Sequence, residues 1–176
     1  MEQVAWIGTG VMGAQQAGHL VRAGYPVKAY GHHFEKVEAQ APQFGFTACR
    51  TIAQAVADAD FIFVMVGYPK DVEEVFCAPG GILESAKPGA IAVDMTTSSP
   101  TLAQRLYALG AEKGIAVLDA PVSGGDKGAR EAGLPKSPAP LGTDGQKHSS
   151  HGPGGLRPAH QSRQPDRSGR RHRRLH

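Results

Sequence analysis

The stretch "QVAWIGTGVMGAQQAGHLVRAG", residues 3–24, decides how the rest of the chain reads. Its opening, residues 3–7, is a short apolar run that suits a buried strand. The run ends at Gly8, Gly10 and Gly13, spaced as G-x-G-x-x-G. From Val11 onward small and apolar residues recur at helical spacing, which predicts a helix over 11–24 with Gly24 as its C-terminal cap. A strand, a glycine turn and a helix in that order give each glycine a task. Gly8 permits the tight turn, Gly10 lets a ligand approach the backbone, and Gly13 lets the helix pack closely on the sheet. The helix start offers free N–H groups and a positive dipole, so the expected ligand is an anion, the pyrophosphate of a dinucleotide.

Working outward, strands and helices alternate. Strands are predicted over 26–30, 60–66, 89–95 and 115–121, and helices over 34–42, 51–59, 69–77 and 99–114. Pro42 is expected to end the second helix. Thr51 and Ser99 are expected N-caps, and Pro69 and Pro100 suit first-turn positions. "DFIFVMV" (60–66) is apolar without alternation, the pattern of a strand buried on both faces. Strands separated by helices imply right-handed crossovers and an α/β fold, a Rossmann-like doubly wound parallel sheet.

Charge and composition divide the chain. Residues 1–134 carry ten Lys and Arg against fourteen Asp and Glu, a net charge of −4. Residues 135–176 carry nine Lys and Arg against two Asp, a net charge of +7, so the overall +3 describes neither part. Beyond residue 134 there is no Val, Ile, Phe, Trp, Tyr, Met or Cys. Such a segment buries too little apolar surface to offset its conformational entropy. The expected organisation is therefore a dinucleotide-binding domain over 1–131 and a disordered, low-complexity basic tail over 132–176. Three origins of the tail stand open. It has the composition of out-of-frame translation of a GC-rich gene, it suits a basic arm that binds nucleic acid through phosphate contacts, and it suits a tail without a role. The two cysteines, Cys49 and Cys77, lack metal-ligand spacing, and a disulfide framework is not expected. No signal peptide is visible, and the longest apolar run is shorter than the ~20 residues of a bilayer-spanning helix. A cytoplasmic protein without a membrane partner is the expectation.

The end of the second predicted strand bears on the choice of dinucleotide. An acidic residue there would bind a ribose 2′-hydroxyl and repel a 2′-phosphate. Instead the chain reads "YGHHFEK" (30–36), where His32, His33 and Lys36 can face a phosphate. NADP is favoured, with NAD left open.

Three further segments, "FVMVGYPKDVEEVF" (63–76), "VDMTTSSP" (93–100) and "DAPVSGGDKGA" (119–129), join "GTGVMG" in resembling the β-hydroxyacid dehydrogenase family. That family includes 3-hydroxyisobutyrate, tartronate semialdehyde and 6-phosphogluconate dehydrogenases, and the likeness covers residues 3 to about 131. It implies that Gly8, Thr9, Gly10, Val11, Met12 and Gly13 form the cofactor turn. It implies that Val66, Gly67 and Tyr68 pass over the cofactor ribose, and that Thr97 lies near the nicotinamide. Ser123, Gly124 and Gly125 match the loop that takes the substrate carboxylate. The family's N-R-T-x-x-K segment falls on Gly31, His32, His33 and Lys36, where only the lysine matches. Gln15 and Gln16 stand where the family has an apolar or small residue followed by Met.

The resemblance also implies what should follow. In the family a connecting helix opens with G-x-G-x-x-x-K-x-x-x-N, and its lysine moves a proton at the substrate hydroxyl. An all-helical second domain then completes the cleft and builds a dimer. This sequence contains no asparagine, and Lys136 and Lys147, its lysines after residue 134, lack the glycine context. No catalytic residue is therefore assigned, negligible turnover is expected, and the strand over 115–121 is expected to leave an exposed sheet edge.

Overall fold

The structure, a computed structural model, describes residues 1–122 and residue 129. Six strands form one parallel sheet: β1 (Val4–Ile7), β2 (Val27–Tyr30), β3 (Thr47–Ala48), β4 (Phe61–Val64), β5 (Ile91–Asp94) and β6 (Ala116–Asp119). Among the described residues six helices connect them, with α4 and α5 both between β4 and β5: α1 (Val11–Arg22), α2 (Phe34–Phe44), α3 (Ile52–Val56), α4 (Pro69–Cys77), α5 (Ile82–Ser85) and α6 (Pro100–Glu112). The strand order is β3-β2-β1-β4-β5-β6, and each ladder given is parallel. The chain winds outward from β1 in one direction, returns to β4, and winds outward in the other. This is the Rossmann-like doubly wound sheet expected from the sequence.

The alternation of side chains in the strands divides the core in two. Ala5, Ile7, Ile62, Val64, Ala92 and Val117 face one side, where they pack with Ala55 and Val56 of α3, Val72, Val75 and Phe76 of α4, and Leu106 of α6. Val4, Trp6, Val27 and Ala29 face the other, against Ala17 of α1 and Val37 of α2. β1 is buried at all four positions because both layers cover it. β4 departs from the expectation of burial on both faces. Ile62 and Val64 are buried, but Phe61 and Phe63 are half-buried, because α1 and α2 lie over β1 and β2.

Local chemistry explains most helix ends. Thr51 Oγ1 accepts from Gln54 N at 3.2 Å, and Ser99 Oγ accepts from Leu102 N at 3.2 Å, as their N-cap positions require. Pro69 and Pro100 occupy the first turns of α4 and α6, where an N–H would have no helical partner. Gly24 takes φ +97° just past Ala23, the residue that caps α1.

Four differences from the sequence reading have physical causes. Pro42 does not end α2; it sits inside the last turn, and the helix closes at Gly45, whose φ is +81°. A proline so near a helix end removes one hydrogen bond and leaves the earlier turns intact. α3 is five residues rather than nine, because Ala57 caps it and the chain turns toward β4. β3 and α5, of two and four residues, are too short to leave a periodic signal. β6 is an edge strand among the described residues, and Ala116 is exposed. The expected disordered tail over 132–176 lies outside the described residues. Gln16, half-buried on α1, carries a buried Oε1 without a hydrogen-bond partner among the described residues.

Candidate functional site

In a doubly wound sheet the place to look is beyond the C-terminal strand ends, where the winding reverses. Here that is the gap between β1 and β4. A cleft of about 350 Å³ opens there. It is lined by the turn after β1 (Gly8 to Gly13), the turn after β2 (Gly31, His32, His33 and Lys36) and the turn after β4 (Met65, Val66 and Gly67), with Asp71 of α4.

The three glycines of the first turn meet three different surroundings. Gly8 has φ +102°, and a Cβ on it would collide with the Met65 carbonyl. Its N–H donates to Tyr30 O at 2.8 Å, which ties β1 to β2 at the lip of the cleft. A Cβ on Gly13 would collide with Gly8 O and stand 3.0 Å from Trp6 Nε1, which itself donates to Gly8 O. Gly10 has nothing within 4 Å of an added Cβ. Gly8 and Gly13 are thus small because the protein is crowded there, whereas Gly10 is small beside open space. Gly10 is also the N-cap of α1, with no side-chain cap and no acidic residue in the first turn. Backbone N–H groups and the positive helix end therefore face the cleft with no acidic side chain of α1 beside them, and the carboxylate in the lining, Asp71, accepts from Tyr68 N instead.

The turn after β4 is held from the neighbouring strand. Val66 N donates to Thr96 Oγ1 at 3.1 Å. Thr96 N in turn donates to Asp94 Oδ1 at 2.9 Å, and Ser98 Oγ donates to Asp94 Oδ2 at 3.0 Å. Asp94 is 3% exposed at the end of β5. Burial pushes its carboxyl above the usual range, against the pull of these hydrogen bonds, and nearby Asp119 adds to the rise. Burial raises Asp119 as well, and the two are register partners on β5 and β6.

Of the residues singled out from sequence, Gly8, Thr9, Gly10, Val11, Met12, Gly13, His32, His33, Lys36, Val66 and Gly67 line this one cleft. Tyr68 does not; it is the exposed N-cap of α4, and its N–H donates to Asp71 Oδ2 at 3.0 Å. Thr97 is exposed just beyond β5 and is also outside the lining. Ser123, Gly124 and Gly125 lie outside the described residues. Gly31, Met65 and Asp71 line the cleft and were not singled out; Gly31 matters because a Cβ there would come within 2.8 Å of Thr9 Oγ1. No motif marks Asp94 and Thr96 as partners of the β4 turn, since that contact joins residues thirty positions apart. Among the described residues no helix is long and apolar enough to cross a membrane.

A parallel doubly wound sheet with a glycine-walled, uncapped helix start at its switch point defines a dinucleotide-binding domain. The chain belongs to the family described as the NAD binding domain of 6-phosphogluconate dehydrogenase, which matches residues 3–139. An uncharacterised oxidoreductase of Bacillus subtilis is 46% identical over 131 residues, which cover 74% of this chain and 45% of that protein. The structure of 3-hydroxyisobutyrate dehydrogenase from Mycobacterium tuberculosis with L-serine is similar at 35% identity and a TM-score of 0.68, over 74% of this chain and 43% of that one. A structure described as Psf3 in complex with NADP+ and 2-OPP matches at 30% identity and a TM-score of 0.67, over 72% and 45%. The chain therefore spans less than half the length of these relatives.

Proposed function

We propose that the chain is the cofactor-binding part of an NADP-using oxidoreductase whose substrate is a small β-hydroxyacid of the 3-hydroxyisobutyrate or 2-hydroxy-3-oxopropionate type. The observation that carries the cofactor reading is the contrast at the glycine turn: open space at Gly10 beside an uncapped helix start, between two glycines crowded by protein. In this reading the N–H groups after Gly10 hold the pyrophosphate. Val66, Gly67 and Tyr68 flank the nicotinamide ribose, and Thr97 lies toward the ring. His32, His33 and Lys36 face the adenosine ribose, and the end of β2 lacks the carboxylate that would repel a 2′-phosphate. Ser123, Gly124 and Gly125 bind the substrate carboxylate. The dinucleotide, when bound, accepts or returns the hydride of the alcohol carbon.

Substrate class is supported by the family and by the hydroxyacid dehydrogenase among the similar structures. NADP is supported by Lys36 in the cleft and by the NADP+ in one similar structure. A cytoplasmic location belongs to the same proposal. Trp6, the chain's one tryptophan, lies under the glycine turn and reports on it. Titration with NADPH and NADH, followed by Trp6 fluorescence, is expected to show saturable binding with NADPH the tighter. Folded protein that binds neither dinucleotide defeats the proposal. Mixed with NADPH and tartronate or methylmalonate semialdehyde, the chain as given is expected to give no turnover, because it holds no G-x-G-x-x-x-K-x-x-x-N segment.

A further inference from the structure

The motif that would bring an arginine to the adenosine ribose has His32 in its place, yet the structure carries a guanidinium to the same end of the sheet by another route. β3 runs parallel to β2, with Lys28 level with Thr47 and Ala29 level with Ala48. Cys49 N donates to Ala29 O at 2.8 Å, so the pairing continues past the end of β3. Continued one residue more, that register brings Arg50 level with Gly31, one strand over from the turn that carries His32 and His33. The Arg50 N–H donates to Gln54 Oε1 at 2.9 Å, and Gln54 N in turn donates to Oγ1 of the next residue, Thr51.

The side chain is held as well. The Arg50 guanidinium lies 3.8 Å above the centroid of the Phe34 ring. Phe34 is the first residue of α2, directly after His32 and His33. Stacking occupies one face of the guanidinium and leaves its N–H edges available. Among the described residues no carboxylate pairs with Arg50, and no carbonyl accepts from its guanidinium. By contrast Lys28, Lys87 and Arg105 are each committed to an Asp or Glu. α2 adds no side-chain cap at its start, where His33 is the N-cap. Arg50 is exposed and lies outside the cleft lining that holds His32, His33 and Lys36, but its stacked, unspent guanidinium sits over Phe34, the residue that follows the two histidines, and with them and the uncapped helix start makes a set of donors for a dianionic phosphomonoester. The nearest charge of the opposite sign on that helix is Glu35, exposed in its first turn.

We infer that Arg50 is a specificity-determining residue that binds the 2′-phosphate of NADP from β3, in place of the arginine that the β2 turn lacks. The inference rests on the cofactor reading above and deepens it. Arginine suits the task because its planar fork meets two phosphate oxygens at once, which a lysine cannot do.

The test compares NADPH with NADH on the full chain by Trp6 fluorescence. Arg50→Gln is expected to weaken NADPH at least tenfold while leaving NADH within twofold. Arg50→Lys should fall between, and Phe34→Leu, which removes the platform and keeps the charge, should weaken NADPH by several-fold. A thermal melt of each variant confirms that it is folded. An Arg50→Gln chain that still prefers NADPH as strongly as the parent overturns the inference, and so does an equal loss for both dinucleotides. A parent chain that binds NADH as tightly as NADPH also overturns it while leaving the dinucleotide reading intact. A parent that binds neither removes the reading on which it rests.

Discussion

The turns after β1 and after β5 perform related tasks at the same edge of the sheet but are built from opposite materials. The β1 turn is backbone: three glycines, an uncapped helix start and a carbonyl that receives Trp6 Nε1. The β5 turn is side chain: a buried carboxylate that gathers Thr96 N and Ser98 Oγ, and a threonine hydroxyl that holds Val66 N across to the β4 turn. The difference teaches where each is vulnerable. A backbone turn fails when an atom is added. A side-chain turn fails when an acceptor is removed or its charge state changes.

Adding one methyl to the crowded part of the β1 turn should have the largest effect. Gly8→Ala combines φ +102° with a collision at Met65 O, and should cost about 3 kcal/mol or more. Urea denaturation followed by Trp6 fluorescence measures it. Gly10→Ala sharpens the contrast: it should fold with a stability within about 1 kcal/mol of the parent, because nothing lies within 4 Å, yet lose most of its dinucleotide affinity. If both variants lost stability equally, the division between crowded and open glycines would be wrong.

Removing the acceptor of the β5 turn should come next. Asp94→Ala leaves Thr96 N without its partner in a buried place, for an expected loss of about 2 kcal/mol. Because Thr96 anchors Val66 N, hydrogen exchange at Val66 should rise along with it. A variant that lost stability without faster exchange at Val66 would separate the two turns.

The charge state of Asp94 gives the comparison a pH signature. Burial raises its pKa in the folded chain above the ordinary value of 3.8, so the folded state holds this proton more tightly than the unfolded one. The stability that this proton confers is complete below the ordinary value and is lost as pH rises through the raised one. Asp119 is raised too and adds in the same direction. Asp94→Asn cannot titrate there. The stability of the parent relative to Asp94→Asn should therefore decline as pH increases from below 3.8 toward neutrality. A flat difference across that range would mean that Asp94 keeps its ordinary affinity for the proton.

The smallest effect is expected on the helix that the β1 turn opens. Gln16 Oε1 is buried without a partner among the described residues, so Gln16→Met, which is unbranched and close in size, should stabilise the chain by about 1 kcal/mol. Loss of stability on that change would show that the amide has a partner after all.

How much was legible from sequence follows the same division. The β1 turn could be read because its three glycines fall within six positions, although the carbonyl that crowds Gly8 comes from Met65 of the β4 turn. Three helix starts, at Thr51, at Pro69 and at the pair Ser99 and Pro100, could be placed for the same local reason. Pro42 misled because its effect depends on its place in a helix whose true end, Gly45, lies three residues further on. β3 was invisible at two residues, and with it the route by which Arg50 reaches the ring of Phe34 at the start of α2.

Sequence by itself determined the alternation of strand and helix, the glycine turn and the family, because periodicity, caps and turn glycines are properties of neighbours along the chain. Tertiary structure alone decided which loops share the cleft. Tyr68 and Thr97 stand outside its lining, Gly31 and Met65 line it, and Asp94 supports it from β5. These are relations between strands, set by the order in which the sheet winds, and that order brings together residues that no local pattern connects.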